Sequence, residues 1–432
     1  MLERIEKTLF YVFLFLIPFQ IRIFLHNNGN EWNSAFLYLG DLIFIAVLFL
    51  AFLRKGIKFD KKDIFLLLFV AIAAISLFAT SSLGISTYRL VKLIEFVLLY
   101  IYICKNVALV VTSKTLQIIF YSGVLQAVLA IAQFIKQGSI GIKFVEAGIF
   151  SPDSPGVANF ILNGERIMRS YGSFSHPNVL AGFILLAIFC FYAIFLQKGI
   201  KKNLNDLISI FCFLILVFGL FFTFSRTAIV VFVIMSLLMF LVEFFKLRGL
   251  EHTEQRLNDG KKLMKIFGLV VVSCLLVIII LFPYIKARFF AITMEEQAVD
   301  LRFFYNRIAL SMIKENPILG VGIGNFVNFS QNYQTFLRAA AKVAGENING
   351  QIPDWIFQPE HNVYLLIASE IGILGLIMFL VFLVRILWDR IGSRFLFLVF
   401  CFLAIALIDH YFWTLQSGGI MFWLALAFIK EK

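Results

Sequence analysis

The sequence predicts an all-α polytopic membrane protein, and three observations carry that class. Of 432 residues, 61% are hydrophobic, 53 are Phe and only 15% are charged, more apolar side chain than a soluble domain can bury. Apolar runs of about 20 residues, the length that crosses a bilayer as a helix, recur along the whole chain. The net charge of +12 is distributed as membrane topology demands and not as a nucleic-acid surface would be, so no nucleic-acid partner is expected. The chain reads as a single integral membrane domain over 1–432.

In chain order, MLERIEK leads into an apolar run without a small-residue cleavage site, which predicts a retained first helix. Candidate spans follow at roughly 8–25, 35–53, 63–80, 88–104, 115–135, 176–196, 204–222, 226–245, 263–283, 361–387, 395–409 and 413–429, about twelve transmembrane helices in all. Orientation comes from Lys and Arg. With the N-terminus cytoplasmic, the inner segments hold Arg4, Lys7, the basic run at 54–62, Lys105, Lys114, Lys198, Lys201, Lys202, the basic segment 246–265, Arg385, Arg390, Arg394, Lys430 and Lys432. The positive-inside rule then places both termini in the cytoplasm. Cys104, Cys190, Cys212, Cys274 and Cys401 lie in or beside apolar runs, with no disulfide or metal-ligand spacing.

The remaining basic residues fall almost entirely on the outer side, among them Lys136, Lys143, Arg166, Arg169, Arg226, Arg288, Arg302 and Arg307. Short outer loops disfavour such residues, so the cluster needs a reason. Arg226 sits in TFSRTA between two apolar runs that leave almost no loop, hence at or slightly within the bilayer surface. Isolated there it is costly. Its partner is either structural (Asp409, Glu370, a lipid headgroup) or a substrate phosphate, which suits the planar guanidinium fork. Arg89, Lys92 and Glu95 share a helix face and read as a structural charge network.

Two outer segments are long enough to hold structure of their own. The outer loop 137–175 contains the turn-rich SPDSPG and leads into RIMRSYGSFSHPNVLAG, where Pro177 opens a helix capped near Ser175 or His176. The large outer loop 284–360, between the ninth and tenth helices, contains an amphipathic helix in DLRFFYNRIALSMIKENP, with Leu301, Phe304, Ile308, Ser311 and Met312 on one face. GVGIGNF follows a helix and a proline, so it predicts a tight turn with close backbone approach and not a dinucleotide fingerprint. The next helix enters the apolar phase at His361 and Asn362, with Glu370 nine residues beyond His361 and Gly372 and Gly375 after it. A His at the mouth with a Glu below is either a reaction site or an interfacial His above a packed bundle.

Together these blocks resemble the O-antigen ligase and O-antigen polymerase superfamily. RSYGSFSHPNVLAG (169–182) is similar to its R-x-x-G…P-N-x-x-A block and TFSRTA (223–228) to its S-R-x-A block. RFFYNRIALSMIKENPILGVGIGNF (302–326) is similar to its R…A-L…P-x-x-G-x-G-x-x-F block, and HNVYLLIASEIGILG (361–375) to its H-N…E-x-G-x-x-G block. The tail DHYFWTLQSGGIMFW also has the family's look, and the detailed resemblance covers about residues 165–426. One departure is Asn306, where an aromatic residue is common in the family.

The resemblance implies a helical loop capping a cavity on the outer (periplasmic) face of the bacterial inner membrane. It implies transfer of a glycan from a polyprenyl (undecaprenyl) diphosphate carrier to an acceptor hydroxyl. The acceptor is lipid A core for a ligase, or a second lipid-linked glycan for a polymerase. Carried onto this chain, Arg226 and Arg302 clamp the diphosphate and His361 is the base. Arg169, Asn178, Arg288, Asn362, Glu370 and Asp409 are the substrate-binding candidates. His26, His176 and His410 fit the base's role less well. No D-x-D occurs, and the acidic pair Glu295–Glu296 has no His near it, so no metal or other cofactor is expected. Membrane lipids are the remaining partners. A lipid-linked glycan flippase or transporter is the competing class. It would show related halves and matching broken helices, and the sequence has neither.

Overall fold

The helix α7 (Pro177–Lys198) is the axis of the molecule, and composition explains why. It is apolar on every side, 94% of its most hydropathic window is buried, and it packs against neighbours all round. Small residues let those neighbours close in: Gly123 of α6 (Ser113–Lys136) faces Ala187 of α7, and Gly219 of α8 (Leu204–Phe222) faces Ala127 of α6. By contrast α10 (Glu254–Phe290) has only 28% of its window buried and lies at the periphery, as a lipid-facing helix would.

The structure is a computed structural model and describes residues 1–55, 63–143, 145–146, 148–154, 156–201, 203–248, 254–290, 295–345 and 352–430, with the backbone alone at 55, 290 and 295–300. Most of the basic run 54–62, Thr253, and the side chains of Glu295, Glu296 and Asp300 lie outside the described residues. The protein is mostly helical. Among the described residues six helices are long and apolar enough to cross a membrane: α6, α7, α8, α9 (Arg226–Arg248), α10 and α14 (Val363–Trp388). The segments Ile64–Ala79, Leu396–Ile405 and Gln416–Phe428 are shorter apolar helices. The first two are α3 (Ile64–Ile75, continued by one 3-10 turn) and α15; the last is α17, which packs against both α7 and α4 (Leu83–Lys105).

Several expectations are corrected by this architecture. The first helix, α1, runs Leu2–Leu16 and not 8–25; Pro18, which lacks an N–H, follows its end, and the chain then turns into strand β1 (Arg22–His26). The second apolar segment likewise begins as strand β2 (Ala35–Tyr38) before α2 (Leu39–Lys55). The two strands pair antiparallel, with Arg22 opposite Tyr38 and an irregularity between Phe24 and His26. A second hairpin, β3 (Asn159–Leu162) with β4 (Glu165–Met168), lies in the 137–175 loop, so the fold is helical with two small hairpins and not all-α.

The 284–360 loop has its own core. Its helix α11 (Glu295–Glu315) buries Tyr305, Ile308, Ala309 and Met312 against Val321, Phe326, Leu337 and Ala341, and Leu366 of α14 closes the cluster. The expected face is rotated: Leu301 and Phe304 are its partly buried edge, and Tyr305 and Ala309 belong to its centre.

That loop is anchored to α14 by main chain. Gly372 breaks the helix, at φ +82 and ψ +173. The groups freed by the break are used by the GVGIG turn and the proline before it. Val321 N–H donates to Ser369 O (2.9 Å), Gly322 N–H to Glu370 O (2.9 Å), and Ile373 N–H to Pro317 O (2.9 Å). Non-helical backbone at such a depth is tolerated where protein re-satisfies its polar groups. A Cβ on Gly372 would lie 1.9 Å from Ile318 O, so no larger residue fits.

Candidate active site

The turn between α8 and α9 is the foundation of the site. It is only three residues long, Thr223 to Ser225, and Phe224 takes φ +45 to make it. Its carbonyls point at arginines. Thr223 O accepts from Arg169 Nε (2.7 Å) and Phe224 O accepts from Arg288 Nε (3.3 Å), while Arg226 opens α9 directly after. Arg302, from α11, is close enough that Arg288 feels repulsion from Arg169, Arg226 and Arg302 together. Four guanidinium groups therefore share one neighbourhood. Like charges this close in a partly dry site cost energy unless an anion joins them.

Arg169 is buried, and its other nitrogen extends a chain across the site: Nη2 donates to Asn178 Oδ1 (2.6 Å), and Asn178 Nδ2 donates to Asp409 Oδ2 (2.6 Å). Burial pulls Arg169 down to about 10, with Asp409 opposing and Arg226 and Arg302 adding to the shift. Asn178 is placed by its helix start. Pro177 occupies the first turn of α7, as expected, and His176 caps it, its Nδ1 accepting from Asn178 N–H (3.1 Å).

His361 sits where the loop meets α14. Its ring stacks on Tyr305 (5.7 Å, 15°) and meets the His410 ring edge-on (4.8 Å), and its Nδ1 is buried without a hydrogen-bond partner. Burial, then His410 and Arg302, hold its pKa well below the ordinary imidazole value, so it is neutral at physiological pH. His176 and His410 are pushed down as well, to about 3 and about 4, first by burial. Glu360, fully buried beside His361, goes the other way: burial drives it up to about 7 against the pull of the Asn362 and His361 N–H groups and of Arg302.

The four arginines, Asn178, Asp409, Tyr305 and the three histidines line a cavity of about 510 Å³. Arg169, Asn178, Arg226, Arg288, Arg302, His361 and Asp409, seven of the residues singled out in the sequence, lie on its wall. The other two do not. Asn362 caps α14, its Oδ1 accepting from Tyr364 N–H (2.9 Å) and Leu365 N–H (3.2 Å). Glu370 turns to a neighbouring cavity, where it accepts from Trp413 Nε1 (2.9 Å). Sequence reasoning did not single out Glu360, buried beside His361, or Trp32 on the cavity wall; His176 and His410, weighed there only as bases, line the cavity as well. The signal for Glu360 was its place beside His361 in PEHN; for Trp32 there was none. Asn306, the departure from the family pattern, has a local reason. With its amide nitrogen turned toward Glu360 it donates to Oε1 (2.5 Å) and Oε2 (3.1 Å), contacts a phenylalanine could not make.

The site is thus a cavity lined by four arginines and three histidines, drawn from α9, α10, α11 and the segments before α7, α14 and α17. Residues 211–380 match the family model for O-antigen ligase. The segment contains Arg226, Arg288, Arg302 and His361; Arg169, Asn178 and Asp409 come from outside it. The family indicates O-antigen ligase- or polymerase-type function, with lipid-linked glycan and acceptor substrates in general. No curated protein matches the chain.

Proposed function

We propose that this protein is an O-antigen ligase-type glycosyltransferase that moves a glycan from a polyprenyl diphosphate carrier to an acceptor hydroxyl, lipid A core in the first instance. The observation supporting this is the convergence of Arg169, Arg226, Arg288 and Arg302 with His361 and Asp409 on one cavity. In the reaction the acceptor oxygen bonds to the anomeric carbon, the bond from that carbon to the diphosphate oxygen breaks, and the acceptor proton passes to neutral His361. Negative charge grows on the departing diphosphate, where Arg226 and Arg302 stabilise it, Arg288 and Arg169 standing behind them. Asn178 and Asp409 hold Arg169 in place. Purified protein given a lipid-linked repeat unit, with and without lipid A core, tests the reading. Transfer to the core is the expected product; elongation of the lipid-linked glycan alone identifies a polymerase, and neither product rejects both.

The site opens to the periplasmic face of the inner membrane, on twelve membrane-crossing segments, with both termini cytoplasmic. In a cysteine-free background, cysteines at Ser151 and Gln331, both exposed, should react with an impermeant thiol reagent from outside. A cysteine at Thr253 should react only after the membrane is opened; the opposite pattern removes the site from the outer face. The arginines do the work that a divalent ion does in many glycan transferases. Activity should therefore be unchanged in excess chelator, and strict dependence on magnesium or manganese would refute that part.

A further inference from the structure

A second cavity adjoins the first and has no task in the reaction above. Its walls are aromatic: Trp32, Tyr38, Tyr88 and Trp413 line it, from the first hairpin, from α4 and from the segment before α17. Its polar groups are ordered by bonds to one another. Arg22 donates to Glu31 Oε1 (2.7 Å), and Arg89 fixes the wall by donating to Trp32 O (3.0 Å) and Thr414 O (2.7 Å). Lys92 is held between Asp41 and Glu95, the latter at 3.0 Å. Two of these cations, Arg22 and Lys92, are thus matched by carboxylates, and Arg89 by main-chain carbonyls. Gln416 gives its Nε2 to Asp41 Oδ1 (2.6 Å), which leaves Oε1 buried with no partner, on a side chain only 7% exposed. A buried acceptor without a donor is an incomplete hydrogen bond, and a ligand hydroxyl would complete it.

Aromatic faces with charge-balanced, preorganised polar groups and an orphaned acceptor describe a site for a neutral polyhydroxylated ring. Sugar C–H faces lie on aromatic rings, and sugar hydroxyls bond planar amides and carboxylates. The two cavities share Glu31, Trp32 and Leu415. Ring contacts run through that wall, from Trp32 to His410 (5.1 Å) and from His410 to His361 (4.8 Å). None of Arg169, Arg226, Arg288 and Arg302 lines the aromatic cavity. Displacement at an anomeric carbon requires attacker and leaving group on different sides of it, and the two cavities provide two differently built sides. We propose that the aromatic cavity binds the terminal sugar of the acceptor glycan and presents its hydroxyl toward His361. This rests on the transfer reaction proposed above.

Lipid-free oligosaccharides serve as probes in two arms: core oligosaccharide released from rough lipopolysaccharide, and an O-antigen repeat-unit oligosaccharide. Tryptophan fluorescence of the purified protein should change saturably with at least one, and the arm that saturates names the acceptor's source. Inorganic pyrophosphate, the probe for the arginine cavity, should not displace it. Tyr88→Ala, checked for an unchanged melting temperature, should weaken binding and raise the acceptor KM by at least about tenfold, about 1.4 kcal/mol, with the donor KM unmoved; Tyr88→Leu, which keeps bulk, should fall between. No saturable response in wild type up to about 10 mM of either probe, a regime of binding weaker than about 2.7 kcal/mol, overturns the proposal. Displacement by pyrophosphate, or an acceptor KM unchanged in folded Tyr88→Ala, does the same. Release of polyprenyl diphosphate from the lipid-linked donor is followed separately. If release proceeds while the saccharide tests fail, only the acceptor assignment falls; if the donor is never turned over, the transfer reaction falls and the assignment with it.

Discussion

His361→Gln and His361→Ala should each lower turnover by about 10²–10⁴-fold, the usual worth of a positioned general base. An acceptor hydroxyl attacks only as its proton leaves, and His361 offers a buried ring nitrogen with no protein partner in a ring held neutral by its surroundings. Glutamine keeps hydrogen-bonding capacity but cannot take a proton, so a Gln variant near wild type would make His361 a packing residue. The sign of the pH dependence follows from the depressed pKa. The base is competent when neutral, and its folded pKa lies well below 6.5, so turnover stays level through neutrality and falls only as acid protonates the ring. The sequence alone suggests a rise centred near the unperturbed value of about 6.5; burial displaces it. A change near pH 7 has a different owner, Glu360, whose carboxyl is raised to about 7. Glu360→Gln should erase a neutral inflection and leave the acid limb, while the His361 variants erase the acid limb. A wild-type rate–pH profile with an inflection near 6.5 that persists in Glu360→Gln would contradict this assignment.

Arg226→Lys and Arg302→Lys should each reduce turnover at least about tenfold, roughly 1.4 kcal/mol of transition-state stabilisation. Lysine keeps the charge and loses the planar fork that grips two phosphate oxygens at once. The two arginines come from different elements, α9 and α11, and line one cavity. The double variant should therefore lose more than either single one. Membrane insertion and melting temperature should be unaltered, since both side chains are only half-buried. Wild-type turnover in both lysine variants would reduce them to surface anchors.

The reach of sequence reasoning here follows the range of the physics involved. Helix positions were legible because hydropathy is local: each of the twelve apolar segments contains a helix. Arg226 and His361, which line one cavity, stood out in the sequence because a charge or imidazole at the edge of an apolar run is costly without a partner. Strand β1 was not, since most of its side chains are exposed and it shows no buried alternation. The break at Gly372 was hidden inside an uninterrupted apolar run. The Arg169–Asn178–Asp409 chain joins residues up to 231 positions apart, and the aromatic cavity assembles residues from both ends of the chain. No local pattern carries such contacts.

The capping loop is fastened to α14 through amide and carbonyl groups that every residue possesses. Attachment of this kind is indifferent to side-chain identity except where a side chain would intervene. Gly320, with space only for hydrogen against the backbone of Ser369 and Glu370, and Gly372, against Ile318 O, are such places. Where its side chains face neither the cavity nor its own core, the loop can change while its seating on α14 stays in register. Two hydrogen atoms thus matter to this seating alongside the side chains, such as Leu366, that pack beneath it.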